Sequence, residues 1–236
     1  EENDYDVFAG RARVGLGRKM YVGLRETIRR NGTEREDRGA RPTIVTAGAR
    51  EDRPASADDL VVVVDSDDRE VGQAGKLDVH VPPGIRHRAF SVLVRGDDGW
   101  LLQQRAPSKY HFAGLWSNTC CSHPRPGEDI ETAARRRLME ELGMQASELE
   151  TVGRFEYVAA DPVSGFVEHE VVHVLVADAA TEPRPAAEEV AGVRWIGTAE
   201  LLDEIAQHPS SFTPWLPDVL SLAVGSGRPA GVDGAR

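Results

Sequence analysis

The apolar positions of this chain change period along its length. Residues 1 to 58 show almost no apolar periodicity; NGTEREDRGARP and EDRPASADD are polar runs that predict a disordered extension. Within it, Met20, Leu24 and Ile28 share one face, which predicts at most a short helix near 20–30. Leu60-Val-Val-Val-Val-Asp65 then reads as a buried strand, and SDDREVG as a turn. His80-Val-Pro-Pro-Gly84 is a loop. Ala89 to Arg95 and Trp100 to Arg105 are strands that flank Gly96-Asp-Asp-Gly99, a hairpin signal. Leu115 to Cys121 predicts one further strand, ended by Pro124, Pro126 and Gly127.

The period then shifts to helical. Ile130, Ala133, Ala134, Leu138 and Leu142 form one stripe over 129–142, and Gly143 is placed to stop the helix. Leu149 to Ala159 and Phe166 to Ala177 return to strand, joined by Asp161-Pro-Val-Ser-Gly165. A polar loop covers 179–189, and 190–196 is a strand. Thr198 to Gln207 predicts a helix with Thr198 as N-cap, and a last helix starts at Thr213-Pro214 with proline in its first turn. Strands around one central helix, with a helix pair late in the chain, predict an α/β (α+β) sandwich. The expected domain spans 59–224, between the extension 1–58 and a flexible tail at 225–236.

Composition narrows the class. The 236 residues carry a formal net charge of -11 and are 40% hydrophobic. That suits one domain and excludes a general nucleic-acid binder, which wants a basic face. The two cysteines, Cys120 and Cys121, are neighbours and form no disulfide framework, so a reducing cytosol is expected. The opening EENDYDVF lacks a basic n-region and an apolar h-region, so no signal peptide is expected; it also lacks Met, which predicts a fragment. No run of about 18 apolar residues predicts a membrane span.

The densest chemistry lies between Arg105 and Gly143. Arg136–Glu140 and Arg137–Glu141 are four apart on the helix. Such pairs are ordinary surface ion pairs unless something else converges on them, and here a thiol and an imidazole, Cys121 and His123, stand just upstream. Glu168 and Glu170 are two apart in a strand and so share a face, where they repel unless a cation or proton lies between them. With His80, His87 and His123 they form a candidate set for Mn²⁺, Mg²⁺ or Zn²⁺; each histidine alone would be read as structural. His169 and His173 fall on the other strand face, and His111 and His208 have no supporting pattern. Lys76, Arg105, Lys109 and Arg137 are either scattered surface charge or an anion cradle for phosphate oxygens, with Glu141 a candidate for a bridging Mg²⁺. A thiol beside such a centre is expected to ionise below the free value of about 8.5. Cys120, facing the other way, is expected in the core.

Two resemblances follow. Glu128, seven residues and Arg136-Arg137-Leu-Met-Glu-Glu-Leu-Gly-Met144 resemble a degenerate Nudix box, with Arg137 where hydrolytic members carry a glutamate for their metal ions. The full set of motifs resembles type I isopentenyl-diphosphate isomerases: Lys76, His80, His87-Arg-Ala-Phe-Ser91, Arg105 to Lys109, Trp116 to Pro124, Tyr157 to Pro162, Glu168 and Glu170, and Pro214-Trp215. The resemblance covers about 60 to 222. It implies a Nudix-like α/β/α sandwich that interconverts isopentenyl and dimethylallyl diphosphates for isoprenoid synthesis. It implies Cys121 and Glu170 as the acid/base pair, with Glu170 the expected donor, Tyr157 in support, and Trp215 facing the hydrocarbon. It further implies His80, His87, His123, Glu168 and Glu170 as metal ligands, Glu141 as a Mg²⁺ ligand, and Lys76, Arg105, Lys109 and Arg137 around the diphosphate. The expected partner is that small molecule, with no nucleic acid or membrane, in a monomer or weak homodimer. A Nudix-type diphosphate hydrolase is the alternative; a catalytically dead binding module is disfavoured by the intact Cys121, Glu168 and Glu170.

Overall fold

A computed structural model of the chain describes residues 43–44 and 60–226. The helix expected near 20–30, nearly all of the extension and residues 227–236 of the tail lie outside the described residues. Among the described residues, ten strands form one mixed sheet. They are β1 (Thr43–Ile44), β2 (Leu60–Val64), β3 (Glu70–Gly75), β4 (His87–Gly96), β5 (Gly99–Arg105), β6 (Trp116–Ser117), β7 (Cys120–Ser122), β8 (Ala146–Ala160), β9 (Val167–Ala179) and β10 (Val190–Ile196). The helices are α1 (Ile130–Leu142), α2 (Thr198–Gln207) and α3 (Leu216–Gly225). Among these residues no helix is long and apolar enough to cross a membrane.

The expected layers are present. Strand alternation sends Phe90, Val92 and Val94 of β4 to one face, where they pack with Ala133, Ala134, Leu138 and Leu142 of α1. Ala89 and Leu93 face the other way and pack with Leu201 of α2 and Leu216, Val219 and Leu220 of α3. Asp129 caps α1 by accepting from the Thr132 N–H, and Gly143 ends it in the left-handed region at φ 57°. The β4–β5 hairpin turns through Asp97-Asp98, with Gly96 opposite Gly99. Gly99 has φ 112°, and a Cβ there would meet the Ile196 carbonyl oxygen at 2.3 Å, so only glycine fits.

Four local expectations are corrected. SDDREVG is a turn only as far as Arg69, where Asp65 accepts from the N–H groups of Asp67 and Arg69; from Glu70 the chain is β3, paired antiparallel with β2. Residues 115–121 are not one strand, because Asn118 and Thr119 interrupt them. Thr198 is not an N-cap: Gly197 holds that place, and the Thr198 hydroxyl accepts from Trp100 Nε1 at 2.9 Å. The last helix starts at Leu216 rather than Thr213-Pro214, because the Thr213 N–H is taken by the Trp116 carbonyl.

Candidate active site

The interruption at Asn118 builds the site. β4 and β5 pair only near their hairpin, from Val94↔Leu101 to Gly96↔Gly99, and then diverge. Residues 116–122 fill the gap: β6 pairs with β5, and β7 pairs with β4. At the crossing, side chains replace ladder bonds. Asn118 Nδ2 donates to the carbonyls of Val92 (3.1 Å) and Cys120 (2.9 Å), and Thr119 Oγ1 accepts from the Val94 N–H at 2.8 Å. Cys120 is thereby buried in the α1 core, as expected, while Cys121 faces the opposite side.

Strand register delivers the next groups. His87 on β4 lies opposite Glu170 on β9, and Tyr157 on β8 lies opposite the same Glu170. Glu168 is two residues earlier on the same face. His80 ends a short 3-10 turn (Asp78–His80), and His123 follows β7. His80 Nδ1 donates to the Lys76 carbonyl at 2.6 Å, and His87 Nδ1 donates to the Ile85 carbonyl at 2.7 Å. A carbonyl only accepts, so Nδ1 carries the proton in both rings and Nε2 turns inward. His87 Nε2 lies 3.1 Å from His123 Nε2, which lies 2.9 Å from Glu170 Oε1; His80 Nε2 lies 3.1 Å from Glu168 Oε2. Donor atoms of His80, His87, His123 and Glu170 all fall within 4.8 Å of one another, and so do those of His80, His111 and Glu168. Inward imidazole nitrogens locked by backbone carbonyls, with carboxylate oxygens between them, fit a divalent ion that accepts nitrogen and oxygen ligands.

The protonation preferences agree. Burial pushes the His123 ring down to about 3, which keeps it neutral. Burial also opposes the charge on Glu168, but its contacts with His111 and His80 outweigh it and hold the carboxyl well below the usual range. For Glu170, burial and the nearby Glu168 oppose ionisation, and His123 and His87 overcome them. His80 runs the other way: Glu168 pushes it up, burial notwithstanding. Tyr157 donates its hydroxyl to Glu170 Oε2 at 2.9 Å and stays protonated, because burial raises it well above its ordinary value.

Cys121 shares the cleft with Glu170, Tyr157 and Trp215. Its Sγ donates to Asn118 Oδ1 at 3.0 Å and lies 3.4 Å from Ser91 Oγ. Burial pushes the thiol up, ahead of the opposing effects of Ser91 and Arg105. Trp215 Nε1 donates to the same Asn118 oxygen at 3.1 Å, so one buried amide orients both the thiol and the indole.

The basic residues converge, although not all point at free space. Lys76, Arg105, Lys109 and Arg137 line the cleft. Burial, then the charges of Lys109 and Arg137, pull the Lys76 amine down. Arg137 donates to Glu141 Oε1 at 2.5 Å, and the buried Glu141 receives Gln103 Nε2 at 3.3 Å on its other oxygen. Arg136 turns away to a paired contact with Glu128, 2.8 Å on each arm. Glu189 was not anticipated. It accepts from Lys109 Nζ in a very short contact and from Arg137 Nη2 at 3.2 Å, and so joins two cations of the proposed cradle. Arg105 spends Nε on the Phe112 carbonyl (3.1 Å) and Nη2 on the His111 carbonyl (3.0 Å). His111, set aside on sequence, contacts Glu168 directly. His169 and His173 pair elsewhere, with Glu156 and Asp68.

Residues 85–216 match the NUDIX domain family. An isopentenyl-diphosphate Delta-isomerase from Nocardia farcinica is 49% identical over 164 residues, 69% of this chain and 93% of its own. Proteins of the same name from Streptomyces coelicolor (47% over 165 residues, 70% of this chain and 83% of theirs) and Rhodobacter capsulatus (50% over 143 residues, 60% and 80%) are also similar. Among solved structures, DR0079 from Deinococcus radiodurans superposes with a TM-score of 0.56 at 21% identity, over 69% of this chain and 97% of that one. That likeness speaks to the fold alone.

Proposed function

Because the chain belongs to the isopentenyl-diphosphate Delta-isomerase family, built on a NUDIX domain, we propose that it interconverts isopentenyl diphosphate and dimethylallyl diphosphate. The observation that carries this reading is the cleft that gathers the Cys121 thiol, the Glu170–Tyr157 pair and Trp215 beside a basic set. Moving a double bond from the terminal to the internal position adds a proton at the terminal carbon and removes another two carbons away. Addition creates a tertiary carbocation that water would quench, so the reaction needs a dry site. Trp215 is buried, with its N–H anchored on Asn118 and Arg105 over one face, so the hydrocarbon is assigned to the other face. That face stabilises a cation by about 0.5–2 kcal/mol, well short of the roughly 8 kcal/mol behind a 10⁶-fold acceleration. Positioning and proton transfer supply the remainder.

The acid/base pair is Cys121 and Glu170. Glu170 is assigned as donor and Cys121 as acceptor for the step from isopentenyl to dimethylallyl diphosphate. The reaction is reversible, so each group serves in both roles, and a proton loaded on Glu170 is strongly acidic because its neighbours disfavour it. Tyr157 holds Glu170 in line by its hydroxyl. Lys76, Lys109 and Arg137 take the diphosphate oxygens, and Arg105 acts from beneath Trp215, 5.6 Å from the ring centre. Divalent ions held by His80, His87, His123, Glu168 and Glu170 (Mn²⁺, Mg²⁺ or Zn²⁺) and by Glu141 (Mg²⁺) would supply positive charge at the carboxylates and at the diphosphate. We assign this activity to residues 59–224, with a small-molecule partner and a reducing cytosol, which suits the two free thiols.

The test is incubation of the purified chain with isopentenyl diphosphate and Mg²⁺. Dimethylallyl diphosphate is expected. No product overturns the reading, and release of phosphate from a nucleoside diphosphate would favour the hydrolase, which Arg137 in place of the box glutamate argues against.

A further inference from the structure

His111 takes no part in the chemistry above, yet it is buried and lines the cleft. Its Nε2 makes a very short contact with Glu168 Oε1. Its Nδ1 lies 3.3 Å from Arg105 Nη2. A guanidinium has donors and no acceptor, so Nδ1 must be the accepting nitrogen. The one proton of a neutral ring then lies on Nε2, where it donates to Glu168. The other Glu168 oxygen faces His80 Nε2 at 3.1 Å. Tyr110 stacks flat on His111, with ring centres 4.2 Å apart and planes 6° apart, which fixes the ring's plane.

We propose that His111 is a positioning residue, not a metal ligand: its Nε2–H fixes Glu168 for the divalent ion. Through Arg105 it also ties that carboxylate to the 105–112 loop, which carries Lys109. A ligand would need a lone pair on Nε2, and the hydrogen bond from Arg105 removes it. The inference rests on reading the His/Glu cluster as a metal site. It goes beyond that reading by naming a group that holds a ligand in place without touching the metal.

The experiment is calorimetric titration of the full chain with Mn²⁺ alone, without substrate, on wild type, His111→Phe and His111→Gln. Pulsed electron paramagnetic resonance of bound Mn²⁺ counts the coordinated imidazoles. Loss of an outer-shell partner typically weakens metal binding 10- to 100-fold. His111→Phe is expected to lose that much, and His111→Gln, whose amide N–H reaches as far as Nε2, to recover most of it. Three imidazoles are expected in wild type and in His111→Gln. If His111→Phe fails to fold, His111→Asn, whose amide stops short of Glu168, takes its place with the same loss expected. Wild-type affinity in the Phe or Asn variant overturns the inference alone, and so does a fourth imidazole in wild type. No Mn²⁺ binding by wild type overturns the metal reading and takes the inference with it.

Discussion

Asn118→Asp is the most incisive single substitution, because it changes one atom's hydrogen-bonding character and almost no volume. Asn118 is fully buried. Its Nδ2 donates to Val92 O at 3.1 Å and Cys120 O at 2.9 Å, and its Oδ1 accepts from Trp215, Cys121 and Ser117. In aspartate the amide nitrogen becomes an oxygen that faces two carbonyl oxygens. Each buried carbonyl left without its donor costs about 1–3 kcal/mol. A protonated carboxyl restores at most one of the two bonds, so the net loss is about 2–5 kcal/mol at neutral pH. For a domain of this size each kcal/mol lowers Tm by about 2–4 °C, so a fall of roughly 4–20 °C is expected by thermal unfolding. The pH dependence has a definite sign. A buried carboxyl without a counter-charge has a folded pKa raised above its unfolded value. The folded state then binds more protons, and the deficit relative to wild type narrows as pH falls toward the unfolded value. Wild-type stability at pH 7, or a deficit that does not narrow on acidification, would refute the role given to Asn118.

Three further outcomes follow from the same contacts. Cys121→Ala abolishes turnover of isopentenyl diphosphate, whereas Cys120→Ala, in the α1 core, leaves kcat nearly unchanged and costs about 1 kcal/mol by denaturant titration; equal loss in both means the wrong cysteine has been chosen. Glu128→Gln breaks the paired contact with Arg136 and costs about 1–2 kcal/mol at pH 7. Arg136 depresses the Glu128 carboxyl below its ordinary 4.5, so the stabilisation is present above that value and is lost as pH falls through the folded pKa; a wild-type/variant gap that does not shrink on acidification below 4.5 contradicts it. Deleting residues 1–58 leaves kcat/KM within about threefold, under 1 kcal/mol of transition-state stabilisation; a larger loss places the extension in the site.

Much of this architecture is written locally. The valine run of β2, the Asp-Asp hairpin, and α1 with Asp129 and Gly143 at its ends need no distant partner to be recognised. β3 does: Glu-Val-Gly-Gln-Ala-Gly has one β-branched residue, and it becomes a strand by pairing with β2. The break at Asn118 is equally tertiary, since it exists because β4 and β5 diverge and leave carbonyls to satisfy. In the site, the same-face pairing of Glu168 and Glu170 was legible from a two-residue spacing. His111 and Glu189 were not. His111 meets Glu168 across 57 positions, and Glu189 meets Lys109 across 80; their value comes from partners, and their own neighbourhoods, Lys-Tyr-His-Phe and Glu-Glu-Val, announce nothing.

The central claim is that this cleft moves protons on a hydrocarbon and leaves its diphosphate whole. Proton and deuterium magnetic resonance of isopentenyl diphosphate incubated with the enzyme and Mg²⁺ in D₂O reads both halves at once. Deuterium is expected in a methyl group of dimethylallyl diphosphate and at the carbon that gives up its proton, with the phosphorus signals of the intact diphosphate unchanged. Product without deuterium, or orthophosphate without a shifted double bond, would contradict the account.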